Sequence, residues 1–122
     1  MTTIAERYLE RMVAHDFEAM AACLADDVVR VGPFGDTYRG RRRYVAFLSK
    51  LMPSLPGYSM RVDRVAELEP DRLVLVELTE TVEVEGAPLP TPEALVFALD
   101  EAGLIAHISI YIQQPGRPPP SP

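Results

Sequence analysis

The sequence predicts a single α+β domain in which helices come first and β-strands follow. Two observations carry this prediction. Apolar residues recur at helical spacing as far as residue 51, and runs rich in β-branched residues, separated by turn signals, follow from residue 58. The connections between these runs are short, which favours antiparallel neighbours because a parallel crossover needs a dozen or more residues. We therefore expect helices packed on one face of a mostly antiparallel sheet.

The first half of the chain predicts three amphipathic helices and one short strand. The predicted bounds are 3–14, 17–25 and 41–51 for the helices and 28–31 for the strand. Thr3 is a suitable N-cap, because Glu6 three residues later completes a capping box. Asp16 can cap the second helix. Glycine and proline in residues 32–36 predict a tight loop before the third helix.

The second half of the chain predicts four strands, at 58–68, 73–84, 93–99 and 104–113. The turns between them contain glycine, proline or aspartate. Residues 115–122 include five prolines, which cannot support a sheet ladder. We therefore assign residues 1–114 to one domain and residues 115–122 to a proline-rich tail.

Composition excludes several classes of protein. The net charge of −6 argues against nonspecific binding to nucleic acid. No apolar stretch approaches the roughly 20 residues that cross a bilayer, and the first residues lack a signal-peptide pattern. Cys23 is the single cysteine, which rules out an internal disulfide framework and suits a reducing compartment. We expect a cytoplasmic protein, in which Cys23 is either a reactive nucleophile or a small buried apolar residue.

Particular residues at the junctions of these elements carry a resemblance to a known family. They are spread along residues 4–114: Tyr8, the junction at 15–19, residues 24–28, Pro33-Phe34-Gly35, Gly40, Phe47, residues 97–100, residues 103–105 and Tyr111. In this order and spacing, the chain resembles the NTF2-like superfamily and, within it, the SnoaL-like and ketosteroid isomerase-like branch. The resemblance implies a cone-shaped fold, with three N-terminal helices packed on a curved sheet around an apolar pocket. It does not imply one activity, because the superfamily includes isomerases, cyclases, epoxide hydrolases and binding modules.

The isomerase machinery of that family carries over only in part. Tyr8 matches the tyrosine that donates a hydrogen bond to the developing enolate. Gly32 stands where the aspartate base is expected, and Leu95 stands where the protonated acid is expected. Leu24 and Leu48 replace two further pocket tyrosines. We therefore do not expect ordinary ketosteroid isomerisation.

Two glutamates offer a substitute for the missing acids. If Leu95 faces the pocket, Glu93 does too, because side chains alternate along a strand. The same parity on the preceding strand turns Glu80 inward, and the turn at 85–88 places Glu80 opposite Glu93. Two carboxylates on an apolar wall raise one pKa, which makes a general acid–base pair. The alternative is that both lie at the rim or outside, since a one-residue slip moves the whole set outward.

The remaining pocket positions are expected to be apolar. The predicted ligand-binding residues are Met12, Leu24, Leu48, Leu78, Leu95, Phe97, Ile108 and Ile112. The resemblance implies that the aliphatic residues of the last strand face the pocket, which leaves His107 and Tyr111 on the outer sheet face. That face commonly forms a homodimer in this superfamily. With the opposite parity, His107 becomes a candidate base.

Other polar residues have weaker claims. Arg39, Arg41, Arg42 and Arg43 form a basic cluster that either binds an anionic ligand group or is a solvated surface. His15 suits a helix end. Two separated histidines and one cysteine make no metal site, and no phosphate-binding loop is present, so we expect no metal and no cofactor.

The sequence thus predicts a dimeric domain that binds a small, largely apolar organic molecule of terpenoid, steroid or polyketide type. Cofactor-free isomerisation, cyclisation or epoxide opening would use Tyr8, Glu80 and Glu93. The alternative is a non-catalytic ligand-binding or accessory module, which the missing base at Gly32 favours. An ionisable side chain pointing into the cavity would distinguish the two.

Overall fold

A computed structural model describes residues 2–113, so the proline-rich segment 115–122 lies outside the described residues. The helices and strands have the following bounds: α1 Ile4–Val13, α2 Phe17–Ala21, β1 Leu24–Val31, β2 Thr37–Arg39, α3 Arg41–Leu51, a single 3₁₀ turn Met52–Ser54, β3 Ser59–Leu68, β4 Leu73–Val84, β5 Ala87–Leu99 and β6 Ile105–Ile112.

The six strands form one curved, open sheet in the order β2-β1-β6-β5-β4-β3. Four of the five neighbouring pairs are antiparallel, and β1 pairs with β6 in parallel. The whole intervening chain makes the crossover between these two strands, as a parallel pair requires. The predicted α+β class and mostly antiparallel sheet are confirmed.

The three predicted helices are present. Thr3 accepts a hydrogen bond from the Glu6 backbone N–H, and the Glu6 side chain accepts one from the Thr3 backbone N–H, which is the predicted capping box. The second helix is shorter than predicted and ends at Ala21. It ends there because the chain joins the sheet four residues earlier than expected: Leu24 pairs with Ile105 of β6.

Strand β5 begins at Ala87, six residues before the predicted start. This part of the strand was not predicted because it contains Pro88, Pro90 and Pro92, and proline is rare inside a sheet. The strand tolerates them because β6 pairs with β5 only from Glu93 onward, so residues 87–92 form an edge on that side. All three prolines share one parity, and their missing N–H groups therefore fall on this open side. On this side of β5, the carbonyl of Pro92 accepts a hydrogen bond from the Gln113 N–H at 2.9 Å.

The core lies between the helices and the concave face of the sheet. Tyr8, Leu9 and Met12 of α1 are almost fully buried, and Phe97 and Ile108 face them from the sheet. Burying side chains of this size stabilises the fold by about 1.5–3 kcal/mol each. Within residues 2–113, no helix is long and apolar enough to span a membrane.

Candidate active site

A cavity of about 220 Å³ opens between the concave face of the sheet and the loop 32–36. Four ionisable side chains, those of Arg30, Tyr58, Glu80 and Glu93, lie in its wall. The other lining residues are Pro33, Val82, Thr91, Ile110 and Ile112. A larger groove of about 330 Å³ runs between α1 and β3, but its polar residues are the helix carboxylates Glu6 and Glu10. The smaller cavity is therefore the candidate site, because charged and apolar groups converge there.

The hairpin of β4 and β5 places both glutamates in this wall. The predicted pairing is off by two residues: Glu80 lies opposite Thr91, and Glu93 lies opposite Leu78. A tight turn at Glu85 and Gly86, both with positive φ, closes the hairpin and sets this pairing. Because the shift is an even number of residues, both side chains keep the predicted face and meet diagonally.

The two carboxyl groups share a hydrogen bond, and they do not both ionise at neutral pH. Burial, the hydrogen bond to Glu80 and the negative charge of Glu80 raise the pKa of Glu93 to about 9. The positive charge of Arg30 acts in the opposite direction but is the smaller effect. Glu93 therefore keeps its proton at pH 7.

Tyr58, just ahead of β3, orients Glu80. Its hydroxyl donates a short hydrogen bond to Glu80 Oε2. Burial and the neighbouring charge of Glu80 raise the pKa of Tyr58, so the phenol remains a donor throughout the physiological range. A phenol that cannot ionise fixes Glu80 as a hydrogen-bond acceptor.

Arg30 of β1 brings a buried positive charge to the same wall. Its side chain is 11% exposed, and its Nη1 lies 2.7 Å from Asp36 Oδ2. Its Cζ lies 5.6 Å from the centroid of the Phe47 ring and 5.9 Å from those of Tyr38 and Tyr44. Contacts of this kind between a guanidinium and aromatic faces are attractive.

The Arg30–Asp36 pair explains why residue 32 is glycine. A Cβ at Gly32 would lie 2.4 Å from Asp36 Oδ1 and 2.6 Å from Arg30 Nη1. Real Cβ atoms do not approach so closely. The volume in which the family aspartate would begin is thus filled by an ion pair, and a side chain at this position would have to displace it.

Tyr8 lies deeper than the cavity wall. Its hydroxyl is 2.5 Å from the hydroxyl of Tyr44, and its ring meets Phe97 edge to face at a centroid distance of 5.8 Å. Burial first, and then Tyr44, raises the pKa of Tyr8 well above its ordinary value. Tyr8 therefore contacts the site through Tyr44. Burial raises the pKa of Tyr44, while the hydrogen bond with Tyr8 and the charge of Arg30 act in the opposite direction. Its catalytic role stays a prediction.

Most of the predicted ligand-binding residues lie in the core. Met12, Leu24, Leu48, Leu78, Leu95, Phe97 and Ile108 are buried in one hydrophobic cluster. Ile112 alone of that set lines the 220 Å³ cavity. A ligand would reach the buried residues only after the core opened, so a direct contact for them stays a prediction.

The other predicted polar residues lie away from the cavity. Tyr111 is 62% exposed on the outer sheet face. His107 is half-buried, with Nδ1 at 3.4 Å from Ser109 Oγ. Arg41 forms an ion pair with Asp26 at 3.2 Å, and Arg42 and Arg43 are exposed. Cys23 is buried, and burial raises the pKa of its thiol. Residues 2–113 contain no group of three His, Cys, Asp or Glu that could hold a metal ion.

Sequence reasoning missed Arg30, Asp36, Tyr44 and Tyr58. A signal for Arg30 was present, since it stands alone in the apolar run Val28–Val31 with the same parity as the buried Val28. No comparable pattern marks Tyr44 or Tyr58, because tyrosine in a helix or strand is usually part of the core.

Comparison with known proteins gives one family and many similar folds. A family model described as a SnoaL-like domain matches residues 5–108. No curated protein matches the sequence.

Three solved structures illustrate the likeness. An LEH-like epoxide hydrolase of Mycobacterium tuberculosis is 24% identical, with a TM-score of 0.77 over 90% of this chain and 80% of that chain. SalBIII, an epoxide hydrolase/cyclase-like enzyme with a role in pyran ring formation in the polyether salinomycin, is 15% identical, with a TM-score of 0.77 over 90% and 88%. A protein with a ketosteroid isomerase-like fold from Catenulispora acidiphila, in complex with trimethylamine, is 16% identical, with a TM-score of 0.76 over 90% and 86%. At these identities the likeness shows the fold alone.

Proposed function

We propose that this chain, which belongs to the SnoaL-like family, catalyses the opening of an epoxide in a small organic molecule. The nucleophile is water or a hydroxyl group of the same molecule, and the catalysis is of the acid–base type. The observation that carries the proposal is that Glu80 and Glu93 line the wall of one cavity, where burial and Glu80 raise the pKa of Glu93.

The pair supplies both groups that epoxide opening needs. Protonated Glu93 donates its proton to the epoxide oxygen as the carbon–oxygen bond breaks, so that no alkoxide has to form. Glu80, oriented by Tyr58, accepts the proton of the attacking water or hydroxyl as the new carbon–oxygen bond forms. The pair then still holds one proton, now on Glu80. Transfer along the hydrogen bond between the two carboxyls returns it to Glu93.

Tyr58 acts as a positioning residue in this scheme. Its hydrogen bond to Oε2 of Glu80 occupies one carboxylate oxygen. The other oxygen remains for the nucleophile. Loss of the Tyr58 hydroxyl should therefore misorient the base without removing it.

The size of the cavity narrows the substrate. A volume of about 220 Å³ lies below the roughly 300–1,000 Å³ of pockets for drug-sized ligands. It favours a compact molecule over a tetracyclic steroid. Val82, Ile110 and Ile112 would contact the hydrocarbon part of the substrate.

Two structural neighbours support this choice among acid–base reactions. One is described as an LEH-like epoxide hydrolase and another as an epoxide hydrolase/cyclase-like enzyme. Their identity to this chain is low, so the support lies in the shared fold together with the carboxyl pair of this chain.

A non-catalytic binding module is the second candidate. The specific observation in its favour is Gly32, where the family base is missing and the Arg30–Asp36 pair fills the space. The two candidates differ in what they require of Glu93: the enzyme needs its proton, whereas a binding module does not.

Turnover of compact epoxides decides between them. Cyclohexene oxide and styrene oxide are incubated with the wild type, Glu93→Gln and the matched surface variant Glu67→Gln. Glu67 is an exposed strand residue far from the cavity wall. We expect Glu93→Gln to lower kcat/KM by about 10²–10⁴ and Glu67→Gln to leave it unchanged. Wild-type activity in Glu93→Gln would contradict the acid role, and a wild type inert toward both epoxides would favour the binding module.

A further inference from the structure

The proposed reaction leaves one buried charge unused. Arg30 lines the cavity, yet neither proton transfer involves it. Burying a guanidinium is costly unless its donors find acceptors. What satisfies Arg30 therefore bears on what the cavity binds.

The donors of Arg30 are only partly satisfied. Nη1 donates to Asp36, whose side chain is 45% exposed. Within residues 2–113, the buried Nε has no hydrogen-bond partner. A guanidinium presents five N–H donors in a planar fork that matches a carboxylate. Asp36 and the Tyr44 hydroxyl are the acceptors near this fork, and neither satisfies Nε.

The surroundings of Arg30 hold it in place for a ligand. Tyr38 stacks on Phe47 with ring centroids 4.2 Å apart, and both rings lie within 6 Å of the guanidinium carbon. Aromatic rings fix the cation but accept hydrogen bonds only weakly. The group is thus preorganised at the cavity wall, and among residues 2–113 the only carboxylate paired with it is that of Asp36.

We infer that Arg30 is a subsite for the carboxylate of a ligand, which makes the substrate class a compact carboxylic acid. Its carboxylate replaces that of Asp36 at Arg30 Nη1, its hydrocarbon body lies against the aliphatic wall, and its reacting oxygen faces Glu93. Asp36 is the group displaced, because a half-exposed carboxylate returns to water at little cost. The inference rests on the proposed function only in using the same cavity.

Charge in the cavity is compatible with an acid. The pKa of Glu93 is raised to about 9, so its carboxyl adds no negative charge near Arg30 at pH 7. Carbonyl or amide ligands would contact Arg30 without replacing Asp36, and would bind more weakly.

Calorimetry with benzoate and benzamide tests this inference. The two molecules have nearly the same shape and differ in charge. We expect the wild type at pH 7 to bind benzoate at least about tenfold more tightly. Arg30→Met should abolish the preference, while Arg39→Met, a change at an exposed arginine on β2, should keep it. Asp36→Asn should tighten benzoate several-fold and leave benzamide unchanged, because it removes the competing carboxylate.

Three results would overturn the inference. They are equal affinities of the wild type for the two molecules, no detectable binding of benzoate at millimolar concentration, or a benzoate preference that survives Arg30→Met. If Arg30→Met does not fold, Asp36→Asn decides alone, and weaker benzoate binding by that variant counts against the subsite. A benzoate preference in a protein that turns over no epoxide would keep the subsite and remove the proposed reaction.

Discussion

At the scale of single residues, the site depends on how burial changes proton affinity. Glu93 is half-buried beside Glu80, and the cavity wall offers little water to solvate a second negative charge. The same carboxyl in water would be ionised at neutral pH. The arrangement therefore keeps an acid protonated at a pH where its proton is useful.

This shift has a consequence for stability. In the unfolded chain Glu93 loses its proton near pH 4.3, whereas in the folded protein it does so at about 9. Between these values the folded state binds the extra proton, so stability is greatest below pH 4.3 for this group and is lost as pH rises toward 9. Because Glu93 is partly exposed, we expect a loss of roughly 1–2 kcal/mol between pH 5 and pH 8 after allowing for screening.

Urea unfolding of the wild type and Glu93→Gln at pH 5 and pH 8 measures this loss. Glutamine cannot titrate, so the variant should gain stability relative to the wild type at pH 8 and much less at pH 5. Glu67→Gln serves as the control. A difference between wild type and Glu93→Gln that is the same at both pH values would show that Glu93 titrates normally.

The residues of the site were only partly predictable. Parity along the strands was sufficient to bring Glu80 and Glu93 to one face, and this result survives a two-residue error in pairing. Tyr58 was not predicted because its hydrogen bond joins the residue just ahead of β3 to Glu80 of β4, 22 residues further along the chain. A contact of that kind depends on tertiary packing, which residue spacing does not encode.

At the scale of elements, the loop 32–36 and strand β1 form a unit. The chain turns back so that the Gly32 N–H donates to the Asp36 carbonyl at 2.8 Å, and the Asp36 side chain reaches Arg30. Partial burial acts to raise the pKa of Asp36, but the hydrogen bonds from Arg30 and from backbone N–H groups outweigh it and lower the value. The loop thus places the Asp36 carboxylate in the space that a side chain at residue 32 would occupy.

A double-mutant cycle tests this packing. Gly32→Ala should destabilise the protein by about 1–3 kcal/mol, because its Cβ overlaps the Arg30–Asp36 pair. Asp36→Ala removes the nearest atoms. The double variant Gly32→Ala/Asp36→Ala should therefore lose less stability than the sum of the single changes. Additive losses in chemical unfolding would contradict the proposed overlap.

Elements were predictable where one local signal dominated. The capping box fixed the start of α1, and glycine and proline correctly separated β1 from α3. The start of β5 was missed because three prolines hide an edge strand. Strand β2 was missed because three residues, Thr37–Arg39, are too short to show a period. Whether β2 and the first residues of β5 form strands depends on the neighbouring strands with which they pair.

At the scale of the whole molecule, the outer face of the sheet exposes a large aromatic side chain. Tyr111 is 62% exposed there and adjoins Pro92 and Ala94 along a shallow pocket. We propose that a second copy packs on this face, since a large exposed aromatic on an open sheet is typical of an interface.

Sedimentation tests this assembly. We expect a dimer at tens of micromolar and a dissociation constant at least about tenfold larger for Tyr111→Arg, because the substitution brings like charges together across a two-fold interface. Arg39→Met, a change on the edge strand β2, should leave it unaltered. A monomeric wild type at that concentration would rule the interface out.

The central claim is that Glu80 and Glu93 share one proton at neutral pH. Carbon-detected NMR of the glutamate side-chain carboxyls, followed from pH 3 to pH 10 in the wild type and in Glu80→Gln, measures it most directly. We expect one carboxyl of the pair to titrate near pH 9 in the wild type, and Glu80→Gln to lower the pKa of Glu93 by removing the charge beside it. Two carboxyls titrating near 4.3 in the wild type, unchanged for Glu93 in the variant, would contradict it.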